Sequence, residues 1–262
     1  MAIQIIGYCC ALFIGISLGL IGGGGSILTV PVLVYLFGVS PVLATSYSLC
    51  IVGITSLVGA YQNLRRGLID FNTVLSFGIP SVITVLAVRK LVIPYIPAHL
   101  FFAGDFDVTF SFLIMVLLAL LMMVASVAMI TNQKPQKAAF THREIKFVFY
   151  GIGLGMVTGL LGAGGGFLII PFLVLFVKMR MKNAVGTSLF IIAINTLLGF
   201  LVDIGHHYID WHLLSIILLI AIAGVIIGGR LSKKIKSNKL RQMFGWFVLL
   251  TGLFILVKEI IL

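Results

Sequence analysis

Apolar runs of bilayer-crossing length recur from one end of this 262-residue chain to the other. Those that read as spans are Ile3 to Ile21, Val42 to Tyr61, Thr73 to Val88, Val108 to Ile130, Phe147 to Leu161, Ala184 to Ile204, Leu213 to Ile227 and Leu240 to Val257. Most reach or approach the roughly 20 residues that a helix needs to cross a hydrocarbon core. With 61% hydrophobic residues against 10% charged, the chain lies far outside soluble usage. The expected fold class is therefore an all-α integral membrane protein. The first run has no positive leader and no small-x-small cleavage site before its glycines, so it reads as a mature span rather than a secretory signal.

One run is broken in an unusual way. "GLIGGGGSILTVP", Gly19 to Pro31, sets four consecutive glycines inside apolar sequence and continues into a short apolar element, Ile27 to Phe37. The stretch returns as "GLLGAGGGFLIIP", Gly159 to Pro171, and is followed by Phe167 to Val177. The displacement that carries Gly19 onto Gly159 holds without a gap well beyond the motif. Between residues 15 and 72 it gives 19 identities in 58 positions, among them Gly15/Gly155, Ala44/Ala184, Ser48/Ser188, Gly59/Gly199 and Asp70/Asp210. Chance in so biased a composition would give roughly a tenth. The chain thus divides into an N-terminal membrane repeat, 1–131, a polar cytoplasmic connector, 132–146, and a C-terminal membrane repeat, 147–262. Each repeat holds about five helical elements. Because five is odd, the second repeat should enter the membrane upside down, with broken or re-entrant helices at the two Gly-rich motifs.

Charge gives an independent reading of the same topology. If connectors alternate between two faces, one face receives Arg65, Arg66, Lys134, Lys137, Arg143, Lys146, the basic residues of 178–182 and those of 230–241, fifteen of the eighteen Lys and Arg residues. The other receives Arg89, Lys90 and Lys258. The positive-inside rule puts the first face in the cytoplasm and both termini outside a plasma or inner cell membrane. The net charge of +11 is thereby a matter of topology. Confined to short connectors and not interleaved with exposed aromatics, it does not indicate nucleic acid.

The two Gly-rich motifs ending in Pro31 and Pro171, "NAVGTSLF" from Asn183 to Phe190, and "RRGLID" with its counterpart "HHYID" resemble the TauE/SafE family of sulfite-exporter-like transporters. The resemblance covers essentially the whole chain in length, spacing and duplication. It implies transport of a small organic or inorganic anion, often a sulfur oxoanion or organosulfonate. The second-repeat motif is the more specific; the first has Ser46 where the second has Gly186.

Non-helical backbone at membrane depth is tolerated where protein or a water-filled cavity satisfies it, and in transporters with inverted repeats half-helix N-termini face anionic substrates. This makes Gly22, Gly23, Gly24, Gly25 and Ser26, with Gly162, Gly164, Gly165 and Gly166, candidates for substrate binding through free N–H groups. The competing reading is that the glycines only permit close helix contact, as the Gly15/Gly19 and Gly151/Gly155/Gly159 series do. The third element of each repeat carries Ser48 and Thr55 in the first copy and Thr187, Ser188 and Asn195 in the second. The pairs Ser48/Thr55 and Ser188/Asn195 are seven residues apart and share a helix face. They can complete an oxyanion's coordination as neutral donors, or bond the backbone of their own helix. Asp70 and Asp210 read as helix N-caps, and Cys9, Cys10 and Cys50 as small apolar residues.

The spans hold no embedded HExxH or GxSxG motif and no interior acid or histidine, which argues against an intramembrane enzyme and weakens the alternative of a divalent metal-cation permease. No cofactor is expected, no catalytic residue and no metal ligand. The expected partners are a small anion and membrane lipid, with a second copy of the chain left open.

Overall fold

The computed structural model describes residues 2–92, 99–103, 106–131, 144–161, 166–204 and 209–261. Among these described residues ten helices follow one another: α1 (Ala2–Ile21), α2 (Ser26–Phe37), α3 (Pro41–Leu64), α4 (Phe71–Val92), α5 (Phe110–Thr131), α6 (Glu144–Leu161), α7 (Gly166–Leu175), α8 (Met181–Asp203), α9 (Trp211–Lys234) and α10 (Ser237–Ile261). Among the described residues the only strands are a short antiparallel pair, β1 (His99–Ala103) and β2 (Phe106–Thr109), before α5. Val108, which opens one of the apolar runs, therefore lies in β2, and the helix starts at Phe110. Five helices among the described residues, α3, α4, α8, α9 and α10, are long and apolar enough to cross a membrane. At 12 and 10 residues, α2 and α7 would reach only about 18 and 15 Å, roughly half of a hydrocarbon core.

Local signals explain the element ends. Pro41 sits in the first turn of α3, where a missing N–H costs nothing. Asp70 Oδ1 accepts from the N–H of Asn72 at 3.1 Å, and Asp210 Oδ1 accepts from His212 and Leu213 at 3.0 and 3.1 Å, so both aspartates cap the helices that follow. The short helices end alike. Val39 N–H donates to Leu33 O at 3.1 Å and Met179 N–H to Leu173 O at 3.0 Å, the same bond at matched positions of the two repeats. The turn residue is left-handed in both, Gly38 at φ 66° and Lys178 at φ 58°. Lys178 bears a side chain in a conformation that disfavours one.

Packing joins the first five helices to the last five. α1 lies parallel along α9: Gly15 and Gly19 face the carbonyls of Ala221 and Val225, while Gly224 and Gly228 face those of Leu12 and Ile16. α6 lies parallel along α4, with Gly151 and Gly155 against the carbonyls of Phe77 and Ser81. Gly15 on Ala221 and Gly155 on Ser81 are the same contact, the glycine moved forward and its partner moved back by the repeat displacement. α3 and α8 cross antiparallel, Gly53 meeting Leu197 and Gly59 meeting Leu189. α5 and α10 also run antiparallel, Gly245 on Ile130 and Gly252 on Met122. The short α7 is held by aromatic stacking: Phe172 stacks on Phe77 of α4 at 5.2 Å and on Phe176 at 4.8 Å, with Tyr150 of α6 edge-on at 5.4 Å.

A Cβ at Gly15 would run into backbone, which cannot give way cheaply. Gly15→Ala should lower unfolding stability in detergent by about 1–3 kcal/mol. Gly153→Ala, which meets nothing within 4 Å, should be neutral or stabilising. Lys178→Gly should raise stability by about 1 kcal/mol by relieving its left-handed backbone. Thermal unfolding of the purified variants checks all three.

Candidate functional site

The break after α1 is a built turn rather than frayed helix. Gly22 takes φ 88°, its N–H still donating to Leu18 O at 2.8 Å, and Gly23–Gly25 form one tight 3-10 turn before α2 begins at Ser26. The Ser26 hydroxyl donates to Gly23 O at 2.6 Å and Thr29 to Gly25 O at 3.3 Å, which absorbs carbonyls around the turn. The N–H groups of a first helical turn have no acceptor within their own helix. Side chains are excluded from the inner surface of the turn: a Cβ on Gly25 would sit 2.5 Å from Ser17 Oγ, and one on Gly22 2.6 Å from Ile170 Cδ1 of α7.

Two of the candidate elements meet here. The Cβ position of Gly22 lies 3.4 Å from Ser188 Oγ of α8, so the first glycine of the first motif faces a hydroxyl of the second repeat. Ser188 is fully buried and donates to Val185 O at 3.0 Å. Gly24 belongs to the same turn, and Gly166 opens α7, which packs beside it. Gly162, Gly164 and Gly165 lie outside the described residues.

The remaining candidates are distributed differently. Ser48 is buried on α3, and Thr55 is fully buried with its hydroxyl bonded to Ile51 O at 2.5 Å. Asn195 has its Oδ1 buried without a partner. Thr187 does not face the glycine turn: its hydroxyl accepts from Asp70 N–H at 3.0 Å, tying α8 to the connector before α4. The matching contact exists on the other side, where Tyr47 OH accepts from Asp210 N–H at 2.6 Å. Tyr47 corresponds to Thr187 and Asp70 to Asp210 at the repeat displacement, a pairing visible in the sequence but not extracted from it.

Arg241 is a second residue that charge counting alone misses. Assigned to a wet connector by its place beside Lys236 and Lys239, it is in fact 4% exposed within the first turns of α10, with Nε and Nη2 unpartnered. α10 also touches the Gly23–Gly25 turn. On the same face Arg66 donates from Nη2 to Gly229 O at 3.0 Å, linking the end of α3 to α9, and burial lowers its pKa. Among the described residues no three His, Cys, Asp or Glu side chains are grouped so as to hold a metal ion.

Five helices long and apolar enough to cross a membrane, with two half-length elements between them, are the framework of a multi-pass membrane protein. Residues 8–255 match the family model described as sulfite exporter TauE/SafE, and the chain belongs to that family. A "Probable membrane transporter protein" of Xylella fastidiosa (strain Temecula1) is 25% identical over 254 residues, covering 94% of this chain and 92% of the relative. The "Probable membrane transporter protein YjnA" of Bacillus subtilis (strain 168) is 26% identical over 261 residues, covering 97% and 99%. A further "Probable membrane transporter protein", from Haemophilus influenzae, is 25% identical over 269 residues, covering 93% and 94%. No solved structure matches the chain.

The paired ties at Asp70 and Asp210 bear on stability. Tyr47→Phe leaves the Asp210 N–H without its acceptor and should cost about 1–3 kcal/mol. Thr187→Val should cost a similar amount through Asp70, and the double variant should lose the sum, since the ties are separate contacts. Thermal unfolding in detergent measures it; a neutral Tyr47→Phe would remove the tie from the account.

Proposed function

We propose that this transporter moves a small anion of the sulfur oxoanion or organosulfonate class across the cell membrane by alternating access between two inverted repeats, with both termini outside. The observation that carries the reading is the meeting of the Gly22–Gly25 turn with Ser188 of the other repeat. An oxyanion there would meet amide N–H groups at a helix start, the favoured polarity for negative charge. Ser188 would orient it by turning its hydroxyl from Val185 O to the anion, and Ser26 would hold the turn in shape. The buried, part-unpartnered guanidinium of Arg241 adds a positive field on the basic side of the protein. A buried cation without its full set of partners is costly, and an anion on the pathway would offset that cost. The substrate class is supported by the family's description as sulfite exporters.

Inversion is supported by direction. The repeat mates α3 and α8 pack antiparallel, as do α5 and α10, whereas α1/α9 and α4/α6, which are not mates, pack parallel. An inverted five-plus-five arrangement requires these senses. In alternating access the mates would rock against one another about a fixed midplane site. The asymmetry between the two Gly motifs, Ser26 against Gly166, would make the two openings unequal.

Flux into vesicles reconstituted with the full chain tests the proposal, using sulfite, sulfate, a sulfonate and a small carboxylate. Saturable flux of at least one sulfur anion is expected, reduced about tenfold or more by Gly22→Ala and reduced by Ser188→Ala, with insertion intact. No saturable anion flux would sink the proposal, and saturable flux of a divalent metal ion in its place would establish the competing permease.

A further inference from the structure

One cation is buried where its neighbours are wet. Lys236 and Lys239, just before and within the first turn of α10, are exposed, as flexible ammonium groups near a membrane surface ordinarily are. Arg241, two residues on, is 4% exposed. It lies on the packed side of α10: Leu240 and Phe244 beside it belong to the apolar cluster that also holds Leu20 and Ile21, the last residues of α1 before the glycine turn. Gly245, one helical turn along, rests on Ile130 of α5. A side chain long enough to reach water from the first turns of a helix is thus kept inside.

Burial leaves one edge of the guanidinium unused. Nε and Nη2 are both buried, and neither has a hydrogen-bond partner. Their N–H bonds lie on the same side of the planar group and run nearly parallel, so together they make a fork matched to two oxygens carried by one atom. The ordinary partners are engaged elsewhere or passed over. Among the described side chains the carboxylates are those of Asp70 and Asp210, and each caps the helix that follows it. α5 ends at Thr131, one residue beyond the Ile130 that Gly245 touches, and neither nitrogen bonds the carbonyls of that helix end, the usual acceptors for a cation there. An unpaired buried cation is costly, and an apolar side chain would fill the same space at less cost.

We propose that the Nε/Nη2 edge of Arg241 binds the transported oxyanion through two of its oxygens, and that this fork, rather than positive charge as such, selects anions with two or more oxygens on one atom (sulfite, sulfonate, carboxylate) over halide. The inference rests on the anion-transport reading and adds to it the residue that tells one class of anion from another. The amides of the Gly22–Gly25 turn can serve any small anion. A guanidinium fork rewards a partner of matching geometry. α10 touches that turn, so the fork and the amides lie on contacting elements. An oxyanion in the fork offsets the cost of burying it, and the ligand-free chain is therefore less stable than its packing alone would make it.

The purified full chain in detergent is titrated with sodium sulfite, sodium methanesulfonate or sodium acetate against sodium chloride at equal ionic strength, reading the unfolding midpoint. A saturable rise with at least one of the three oxyanions, absent with chloride, is expected. Arg241→Lys keeps the charge but not the fork and should weaken that binding about tenfold or more. Arg241→Met removes the charge; it should abolish the response and raise the ligand-free midpoint, whereas replacing an arginine that served structure alone would lower that midpoint and leave oxyanion affinity as it was. If Arg241→Met does not fold, Arg241→Lys decides alone. No saturable oxyanion response in the native chain, an equal response to chloride, or undiminished affinity in the folded variants overturns the proposal. Oxyanion binding that depends on Arg241 in a chain that carries no anion flux would overturn the transport reading and leave the fork standing.

Discussion

Backbone carbonyls of Ala221, Val225, Phe77 and Ser81 rest directly on glycines of α1 and α6, and the other relations in the fold follow from that approach. Lipid gives helices no hydrophobic reason to associate, so their stability depends on how closely their surfaces fit. Here the closest fits lie between repeats. α1 packs on the fourth helix of the second half, and α6 on the fourth helix of the first. Neither half can be a bundle by itself. Interleaving also carries the Gly22–Gly25 turn inward, against α7 and α8, where its amides are removed from lipid and a polar partner can satisfy them.

Much of this arrangement is legible in the sequence because it rests on periodic or chemically singular signals. The ten elements follow from apolar runs and glycine breaks, and the two aspartates cap where capping chemistry says they should. Repeat arithmetic goes further than it is usually taken. The Gly15/Ala221 and Gly155/Ser81 contacts, the Tyr47/Asp210 and Thr187/Asp70 ties, and the left-handed Gly38 and Lys178 all obey one displacement. Pairing across repeats cannot be read in the same way, because it depends on which helix lies beside which. Thr187 is the instructive case: its helix face follows from spacing, but its neighbour is a connector that spacing does not mention. Arg241 fails for a related reason. A basic residue among lysines near a helix start looks wet, and only tertiary packing buries it.

Departures from symmetry are where a duplicated fold acquires separate tasks. Ser26 against Gly166 and Leu18 against Thr158 each alter one copy while leaving the frame intact. The first changes the turn that faces Ser188; the second leaves a small cavity, bounded by polar and apolar side chains together, in a place its counterpart fills with leucine. Identical halves would offer one chemistry twice.

The proposed alternating access depends on the two halves entering the membrane in opposite senses. Ser40 and Arg180 are matched positions in the turns after α2 and α7. Ser40→Cys and Arg180→Cys, each in a chain with Cys9, Cys10 and Cys50 replaced, can be exposed to a membrane-impermeant maleimide in intact cells and in inverted vesicles. The account predicts that the cysteine at position 40 is labelled from outside and the one at position 180 only from inside. Labelling of both from the same side would contradict it.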